Sequence, residues 1–325
     1  MKFSLIICTY QRPEAMITLL DSVLQQTVYP NEIIVVDGSL DTATEIVLAE
    51  KNYKNLHYYL VSKENRGLTK QRNFGILKIA KESEVVCFLD DDTILEPSYF
   101  ESLIGTYQLK ANALGVGGYI TNEVKWQTTP IANGYCLDGY CRKESARFKL
   151  RKILGLMDDT LPGFMPIFSH GRSIGHLPPS NKIYPVEFFM GGVASYKTTI
   201  FEKIQFSTYF EGYGLYEDMD FCLRVAKLGN LYVNTAAQLE HHHHEAGRPN
   251  KYNYGKMVVR NGWYVWRVKY PKPTLKAKLL FHFNVIVLLK LRFINSMTGS
   301  HKKEAFTEAL GRLVGWFSLF LNRPM

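Results

Sequence analysis

The sequence is poor in cysteine, and its few cysteines follow no framework. There are five in 325 residues, at Cys8, Cys87, Cys136, Cys141 and Cys222. Because most lie within apolar runs and the number is odd, we expect buried thiols in a reducing compartment rather than disulfides. Cys136 and Cys141 are the only close pair, and without a second pair nearby they do not indicate a zinc site.

Long hydrophobic runs are also lacking. The apolar run Phe3–Cys8 is too short for a signal peptide, and Gln11–Glu14 stands where small residues of a cleavage site would be needed. The run Leu279–Leu289 is shorter than the ~20 residues of a membrane-spanning helix. We therefore interpret Phe3–Cys8 as a first β-strand and expect a cytoplasmic chain.

Acidic residues are missing from one long segment. The formal charge is +9, yet no Asp or Glu occurs between residues 248 and 303. This basic, aromatic region indicates a partner that carries phosphates, either nucleic acid or an anionic membrane surface. Aromatic and aliphatic residues in Leu310–Leu321, bordered by Arg312 and Arg323, are typical of helices at a membrane interface. We favour peripheral membrane contact through 275–325, although packing on the rest of the chain is an alternative.

The first hundred residues alternate between strand and helix patterns. The predicted strands are Phe3–Cys8, Glu32–Val36, His57–Val61 and Val85–Leu89. The predicted helices are Glu14–Gln26, Thr42–Lys51 and Thr69–Lys81. Such alternation predicts an α/β fold with a mainly parallel, Rossmann-like sheet, whose ligands bind beyond the carboxyl ends of the strands. A helical extension follows at the carboxy terminus.

The strongest candidate site is the acidic cluster that follows the fourth strand. Asp90, Asp91 and Asp92 repel one another, so their position behind a buried strand favours a bound cation. Residues two apart in an extended segment point the same way, so Asp90 and Asp92 can share one ion. Mn²⁺ or Mg²⁺ suits carboxylate oxygens together with substrate phosphates. The alternative is a solvated acidic turn.

Other polar groups follow the predicted strands or begin helices. Asp37 could accept a hydrogen bond from a base or ribose, or cap a turn. Arg66, Arg72 and Asn73 surround the start of a helix, where a diphosphate could bind, or they could form a solvated basic face. Glu217 and Asp218 begin another helix, which allows either capping or general-base catalysis.

Four consecutive histidines occupy positions 241–244. Alternate histidines could complete a metal site, because imidazole also binds Mn²⁺-like ions. We expect one of the four to be a ligand.

Taken in order, these motifs resemble glycosyltransferase family 2, whose members have the GT-A fold. The resemblance rests on five segments: Ile6–Pro13, Val35–Ser39, Asn65–Gly75, Phe88–Asp92, and Gly191-Gly192 with Phe210–Arg224. It implies an inverting transfer of a sugar from a nucleotide-sugar donor. In this reading Asp218, with Glu217, serves as the catalytic base.

The resemblance also implies site residues and partners. The expected metal ligands are Asp90, Asp92, His242 and His243. The expected donor-binding residues are Thr9, Tyr10, Arg12, Asp37, Arg66, Arg72, Asn73, Asp90, Asp91 and Arg248. We favour a UDP-sugar donor and a glycan or lipid-linked acceptor at the inner face of the cell membrane, in cell-surface polysaccharide synthesis. We expect no nucleic-acid partner.

The expected organisation has three parts. Residues 1–110 form a nucleotide-sugar-binding half, 111–250 an acceptor-binding and catalytic half, and 251–325 a basic amphipathic helical extension. Three alternatives remain open: a haloacid-dehalogenase-like phosphatase, a sugar nucleotidyltransferase, and an inactive membrane-docked module. The first would place Asp90-x-Asp92 after the first strand, and the second would have a glycine-rich loop at Thr9–Pro13.

Overall fold

The computed structural model describes residues 1–210, 212–243 and 249–324. The strands in chain order are β1 Phe3–Thr9, β2 Glu32–Asp37, β3 Leu56–Leu60, β4 Val85–Asp90, β5 Thr93–Leu95, β6 Ala113–Ile120, β7 Tyr135–Leu137, β8 Tyr140–Arg142, β9 Ile183–Val186, β10 Val193–Lys197 and β11 Asn230–His241. The α-helices are α1 Pro13–Leu24, α2 Ala43–Ala49, α3 Leu68–Ile76, α4 Tyr99–Leu109, α5 Ala146–Ile153, α6 Glu217–Val225, α7 Lys251–Lys269, α8 Leu275–Thr298 and α9 Lys302–Leu321. The predicted α/β fold is thus confirmed.

One large sheet organises the molecule, in the order β3-β2-β1-β4-β10-β6-β11-β5, with β9 beside β11. The first four strands pair in parallel, as their alternation with helices predicts. β10 enters antiparallel between β4 and β6, and β5 and β9 pair antiparallel with β11. The sheet is therefore mixed rather than mainly parallel, because β5, β9 and β10 run antiparallel to the strands beside them.

Both faces of the sheet are covered, which explains the continuously apolar strands. In β1, Ile6 faces one core and Leu5 and Ile7 face the other. The same alternation separates Phe88 from Leu89 in β4, as expected for a strand period of two. The carboxyl ends of β1 and β4 are consequently fixed side by side, with Cys8 opposite Asp90.

The predicted free state of all five cysteines is wrong for one pair. Cys136 and Cys141 form a disulfide, whereas Cys8, Cys87 and Cys222 are free thiols. The hairpin of β7 and β8 makes Cys136 and Cys141 direct cross-strand partners, and sequence spacing alone did not reveal that pairing.

The carboxy-terminal helices pack on the sheet domain through one face. Asn261 of α7 donates to the Leu215 carbonyl at 2.9 Å, immediately before α6. Within the extension, α7 and α9 approach backbone to backbone: a Cβ on Gly255 would lie 2.2 Å from the Glu308 carbonyl oxygen, and one on Gly311 would lie 2.0 Å from that of Tyr252. In the described part of the chain, no helix combines the length and apolarity needed to cross a bilayer.

Candidate active site

A cleft of about 610 Å³ opens where β1 and β4 end. One wall is formed by those strand ends and by the start of α3. The opposite wall consists of residues 190–193, 212–216 and the first turn of α6. This position beyond the strand ends is where α/β sheets bind their ligands.

Asp90, Asp92 and His241 converge in this cleft. Each offers a ligand atom, and these atoms lie within 4.8 Å of one another. His241 Nε2 is 3.0 Å from Asp92 Oδ1. Two carboxylates and an imidazole form a donor set that fits Mn²⁺, and the carboxylates alone suit Mg²⁺. The arrangement thus fits the divalent cation that the sequence predicts.

Asp91 points away from this group. It accepts hydrogen bonds from Thr9 Oγ1 at 2.7 Å and from Arg12 Nη1 at 2.8 Å. Burial raises the pKa of Asp91 to about 6, although Arg12 and Thr9 oppose the shift. Arg12 Nη1 also lies 3.4 Å from Asp92 Oδ2. Through these contacts Thr9 and Arg12 fix the position of residues 90–92, which we call the acidic turn.

The histidine register differs from the prediction. The His242 ring lies 2.8 Å from Glu240, and its backbone N–H donates to the Asp92 carbonyl. His243 Nε2 lies 3.0 Å from Glu123. Of the three histidines of this run that the structure describes, His241 is the one whose ring reaches Asp92, whereas His242 and His243 were the expected ligands. What identifies His241 is the pairing of β11 with β5, which puts His241 opposite Thr93 and next to the acidic turn. A single sequence does not reveal that strand register.

His241 is surrounded by negative charge. Burial lowers its pKa, but the neighbouring carboxylates of Asp92, Glu123 and Asp90 together raise the pKa to about 10. The site therefore favours a positive charge at this position, whether proton or metal ion.

Arg72 links the two walls of the cleft. Its buried guanidinium makes a direct ion pair with Glu217 Oε1, and its Nη2 lies 3.6 Å from Asp90 Oδ1. The same group lies over the rings of Phe88 and Phe206, at 5.6 and 5.3 Å from their centroids. Burial raises the pKa of Glu217, although the Arg72 guanidinium opposes the shift and favours the carboxylate. Glu217 Oε2 is buried and has no hydrogen-bond partner among the described residues.

Asp218 is presented differently from its neighbour. It remains partly exposed to the cleft, and its carboxylate accepts from the backbone N–H groups of Gly191 at 3.2 Å and Met219 at 2.7 Å. Burial raises its pKa. Of the two acidic residues that begin α6, Asp218 is therefore the one positioned to meet a ligand, whereas Glu217 is enclosed by Arg72.

The two glycines before β10, Gly191 and Gly192, lie so close to neighbouring carboxylates that there is no room for a side chain. A Cβ at Gly191 would lie 2.6 Å from Glu217 Oε1, and one at Gly192 would lie 2.2 Å from Asp90 Oδ2. Any side chain at either position would displace a carboxylate of the cleft. These glycines let β10 pass between the acidic turn and α6.

The remaining predicted donor-binding residues divide into two groups. Tyr10 and Arg66 line the cleft, and Arg66 Nη2 donates to the Ser39 carbonyl at 3.2 Å. Asp37 is fully buried outside the cleft lining, where it accepts from Ser39 N at 2.7 Å and from the Tyr58 hydroxyl at 2.9 Å.

Two further predicted residues do not add to the described cleft. Asn73 bonds the backbone of Phe206, with Nδ2 2.9 Å from the carbonyl, and so ties α3 to the loop before α6. Arg248 lies outside the described residues.

Comparison with known proteins agrees with the fold and the motifs. Residues 4–183 match the family described as glycosyl transferase family 2. The chain is 34% identical over 128 residues to the glucosyl-dolichyl phosphate glucuronosyltransferase of Haloferax volcanii, which covers 38% of this chain and 39% of that protein. It is 34% identical over 99 residues to the O-antigen chain rhamnosyltransferase RfbN of Salmonella typhimurium, 30% of each chain. The chain thus matches about two fifths or less of each relative's length.

Solved structures share the fold. S. aureus TarS superposes with a TM-score of 0.52 at 16% identity, covering 97% of this chain and 49% of that one. GalNAc-T7, solved with UDP, GalNAc and Mn²⁺, superposes with a TM-score of 0.54 at 18% identity, covering 82% of this chain and 49% of that one. These likenesses confirm the GT-A fold. The family match decides against the phosphatase and nucleotidyltransferase alternatives. Because it covers more than half of the residues, the chain belongs to glycosyl transferase family 2.

Proposed function

We propose that the chain transfers a sugar, with inversion, from a nucleoside-diphosphate sugar to a hydroxyl of a glycan or lipid-linked saccharide. The observation that carries this proposal is the placement of Asp218 in the same cleft as Asp90, Asp92 and His241. Glycosyl transfer needs a base for the acceptor hydroxyl and positive charge for the departing diphosphate. A carboxylate on one wall and a cation-binding group on the other would supply these two requirements. Residues 1–110 would bind the donor, 111–250 the acceptor, and 251–325 would form the extension.

The proposed step involves one proton and one displacement. The Asp218 carboxylate accepts the proton of the acceptor hydroxyl as its oxygen forms a bond to the anomeric carbon. The bond from that carbon to the diphosphate oxygen breaks, and the diphosphate leaves with the electron pair from the opposite face. Backbone N–H groups of Gly191 and Met219 orient the Asp218 carboxylate for this role.

Asp90, Asp92 and His241 would hold the cation, Mn²⁺ or Mg²⁺. When bound, the ion would neutralise negative charge on the departing diphosphate. Arg66, at the start of α3, would add positive charge at the helix amino terminus, where phosphates bind favourably. Arg72 is enclosed by Glu217 and Phe206, so we assign it to holding the walls together rather than to the donor.

Donor and acceptor are proposed from chemistry and from the relatives. UDP is favoured because GalNAc-T7, which shares the fold, was solved with UDP and Mn²⁺. The names of two relatives, a dolichyl-phosphate glucuronosyltransferase and an O-antigen rhamnosyltransferase, favour a surface-glycan pathway with a lipid-linked acceptor.

Peripheral membrane contact is the second part of the proposal. Along α8 the exposed apolar residues are Leu275, Leu279, Phe283, Ile286, Ile294 and Met297. Along α9 they are Phe306, Leu310, Val314, Phe317, Phe320 and Leu321. Most neighbours in each set are three or four residues apart, and Ile286 and Ile294 are about two turns apart, which places each set on one face of its helix. We call these two faces together the apolar hairpin face.

The two sets adjoin because the helices pack antiparallel. The Phe293 and Phe306 ring centroids are 6.2 Å apart, and His282 stacks on Phe320 at 5.4 Å. The surrounding charge is positive: residues 249–325 contain 14 Lys and Arg against two Glu, while the whole chain carries only +9. An apolar face bordered by cations fits an anionic bilayer surface, located at the inner face of the cell membrane.

The proposed activity is tested with a panel of nucleoside-diphosphate sugars and Mn²⁺. We expect a donor sugar to raise the melting temperature only when Mn²⁺ is present, and a saccharide acceptor to release the nucleoside diphosphate. The control is Mn²⁺ with the nucleoside monophosphate. Absence of both stabilisation and release across the panel would favour an inactive binding module instead.

A further inference from the structure

Beside the acidic turn lies a second group of metal-ligating side chains, which the proposed transfer does not use. Glu123, just after β6, has its Oε1 3.0 Å from His243 Nε2 and 3.5 Å from His241 Nδ1. The His241 and His243 ring centroids are 4.1 Å apart. His241 therefore stands between two groups, with Nε2 toward Asp92 and Nδ1 toward Glu123.

Two of the three ligand-atom separations in this group are close to those of a zinc coordination shell. With Zn–N and Zn–O bonds of ~2.0–2.1 Å in a tetrahedron, neighbouring ligand atoms stand ~3.3 Å apart. The distances of 3.0 and 3.5 Å from Glu123 Oε1 bracket that value, and the three ligand atoms lie within 4.8 Å of one another. Two imidazoles and one carboxylate also form a donor set that prefers Zn²⁺ to Mg²⁺ or Ca²⁺.

One atom of this group is unsatisfied. Within the described residues, His241 Nδ1 is buried and has no hydrogen bond of acceptable geometry, because its 3.5 Å contact with Glu123 Oε1 is long. A buried ring nitrogen without a partner carries a desolvation cost that a hydrogen bond or a metal ion would remove. This observation is independent of the clustering itself and points to an additional ligand.

We propose that Glu123, His241 Nδ1 and His243 Nε2 form a second cation site, selective for Zn²⁺-like transition metals, that shares His241 with the Asp90–Asp92 site. With both sites filled, His241 would bridge the two ions as an imidazolate, so zinc binding would release its remaining N–H proton to solvent. Alternation along the chain after β11 brings His241 and His243 to this group. His242, between them, turns to Glu240 instead. A metal ion on Nδ1 would fix the ring plane of His241 and thereby couple the two sites.

The test measures metal binding, so it does not depend on whether the chain transfers sugar. The metal-free full chain is first saturated with Mn²⁺ and UDP, and Zn²⁺ is then titrated by calorimetry. We expect one further equivalent of Zn²⁺. Glu123→Gln and His243→Asn should each weaken this binding by more than the ~10–100-fold that loss of an outer-shell partner costs.

The chain supplies matched controls in the neighbouring pair Glu240 and His242, whose contact of 2.8 Å has the same chemistry but points away from His241. Glu240→Gln and His242→Asn should retain the Zn²⁺ equivalent. X-ray absorption should count two imidazoles on Zn²⁺ in the wild type and one in His243→Asn, whereas zinc in the Asp90–Asp92 site would show one in both. No second equivalent, a single imidazole in the wild type, or equal losses in the control variants would overturn the proposal. Circular dichroism establishes that each variant is folded.

Discussion

Arg72 and Glu217, 145 residues apart in the chain, form a buried ion pair across the cleft. The pair joins α3, which packs on the first strands, to α6, which carries Asp218. Breaking a buried pair by removing one partner leaves an uncompensated charge and costs ~3–5 kcal/mol. The two walls of the cleft are therefore held at a fixed separation by a contact that does not itself meet the substrate.

We expect Arg72→Met to lower the free energy of unfolding by ~3–5 kcal/mol, because Glu217 loses its partner. Urea denaturation measures this change. Lys51→Met is the control, since Lys51 and Asp21 are about half exposed and such pairs contribute ~0–1 kcal/mol. Equal effects of the two substitutions would contradict a structural role for the Arg72–Glu217 pair.

Gly192→Ala should disturb the cation-binding group without changing any of its ligands. The new Cβ would meet Asp90 Oδ2 at 2.2 Å, so the carboxylate must move. We expect weaker Mn²⁺ binding by calorimetry and a lower melting temperature. Gly105→Ala is the matched control: its Cβ meets nothing within 4 Å inside α4, and the helix should gain ~0.5–1 kcal/mol. Unchanged Mn²⁺ affinity in Gly192→Ala would refute the close-packing argument.

Asp218→Asn and Asp92→Ala should separate proton transfer from cation binding. Asp218→Asn is expected to lose a factor of ~10²–10⁴ in turnover while the donor still binds in the presence of Mn²⁺. Asp92→Ala is expected to lose the Mn²⁺ dependence of donor binding. Turnover assays and calorimetry with the same donor measure both. Wild-type turnover in Asp218→Asn would remove its assignment as the base, and unaltered Mn²⁺ dependence in Asp92→Ala would remove Asp92 from the metal group.

The apolar hairpin face should govern binding to vesicles. Leu279 and Phe317 are 61% and 54% exposed, so replacing both by Gln removes apolar contact at little cost to the fold. We expect at least ~10-fold weaker binding to anionic phosphatidylglycerol vesicles in flotation, and weaker binding of the wild type at high salt. Leu77→Gln is the control, since Leu77 is 76% exposed at the end of α3. The membrane proposal would be contradicted if the double variant bound vesicles as tightly as the wild type. It would also be contradicted if the wild type did not bind vesicles at low salt.

His176 should make stability depend on pH. Burial between Tyr135 and Phe148, together with the charges of Arg142, Arg172 and Arg147, lowers its pKa to about 3. The unfolded chain, whose histidine titrates near ~6.5, takes up a proton first as the pH falls. Stability is therefore retained above pH ~6.5 and lost toward pH 3, at ~1.4 kcal/mol per pH unit.

His176→Leu should remove that slope. Between pH ~6.5 and ~5, urea denaturation should show a loss of unfolding free energy that is smaller in the variant by ~2 kcal/mol. Comparing the slopes rather than the absolute stabilities eliminates the constant packing effect of the substitution. Parallel pH profiles for the two proteins would show that His176 is not buried in its neutral form.

Local patterns predicted the strands and helices of the first hundred residues and the acidic turn well. Strands β1, β2 and β4 are buried on both faces, so their apolar runs mark them directly. Asp90 ends β4, and the turn that follows brings Asp92 close to it. What escaped prediction depends on contacts distant in sequence. The choice of His241 over His242 follows from the pairing of β11 with β5.

The same reason explains the other differences. Asp37 is buried and accepts a hydrogen bond from Tyr58, which belongs to the neighbouring strand β3. A polar residue at the end of a strand is therefore not by itself evidence that its side chain is exposed to a ligand. The insertion of β10 antiparallel beside β4 is fixed by Gly191 and Gly192, whose need for space arises from Asp90 and Glu217. Long-range register and close approach are properties of the assembled sheet and not of any short window of sequence.

The contact of α7 with α9 at Gly255 and Gly311 leaves no room for sliding between the two helices, and Asn261 ties α7 to the residue that precedes α6 by two positions. A surface resting on the hairpin would thus be at a set height from Asp218. With the proposed membrane contact and a lipid-linked acceptor, the extension would act as a ruler: among acceptors anchored in the same bilayer, it would select those whose reactive hydroxyl stands at that height. Lengthening the anchor, rather than changing the sugar, would be enough to exclude an acceptor.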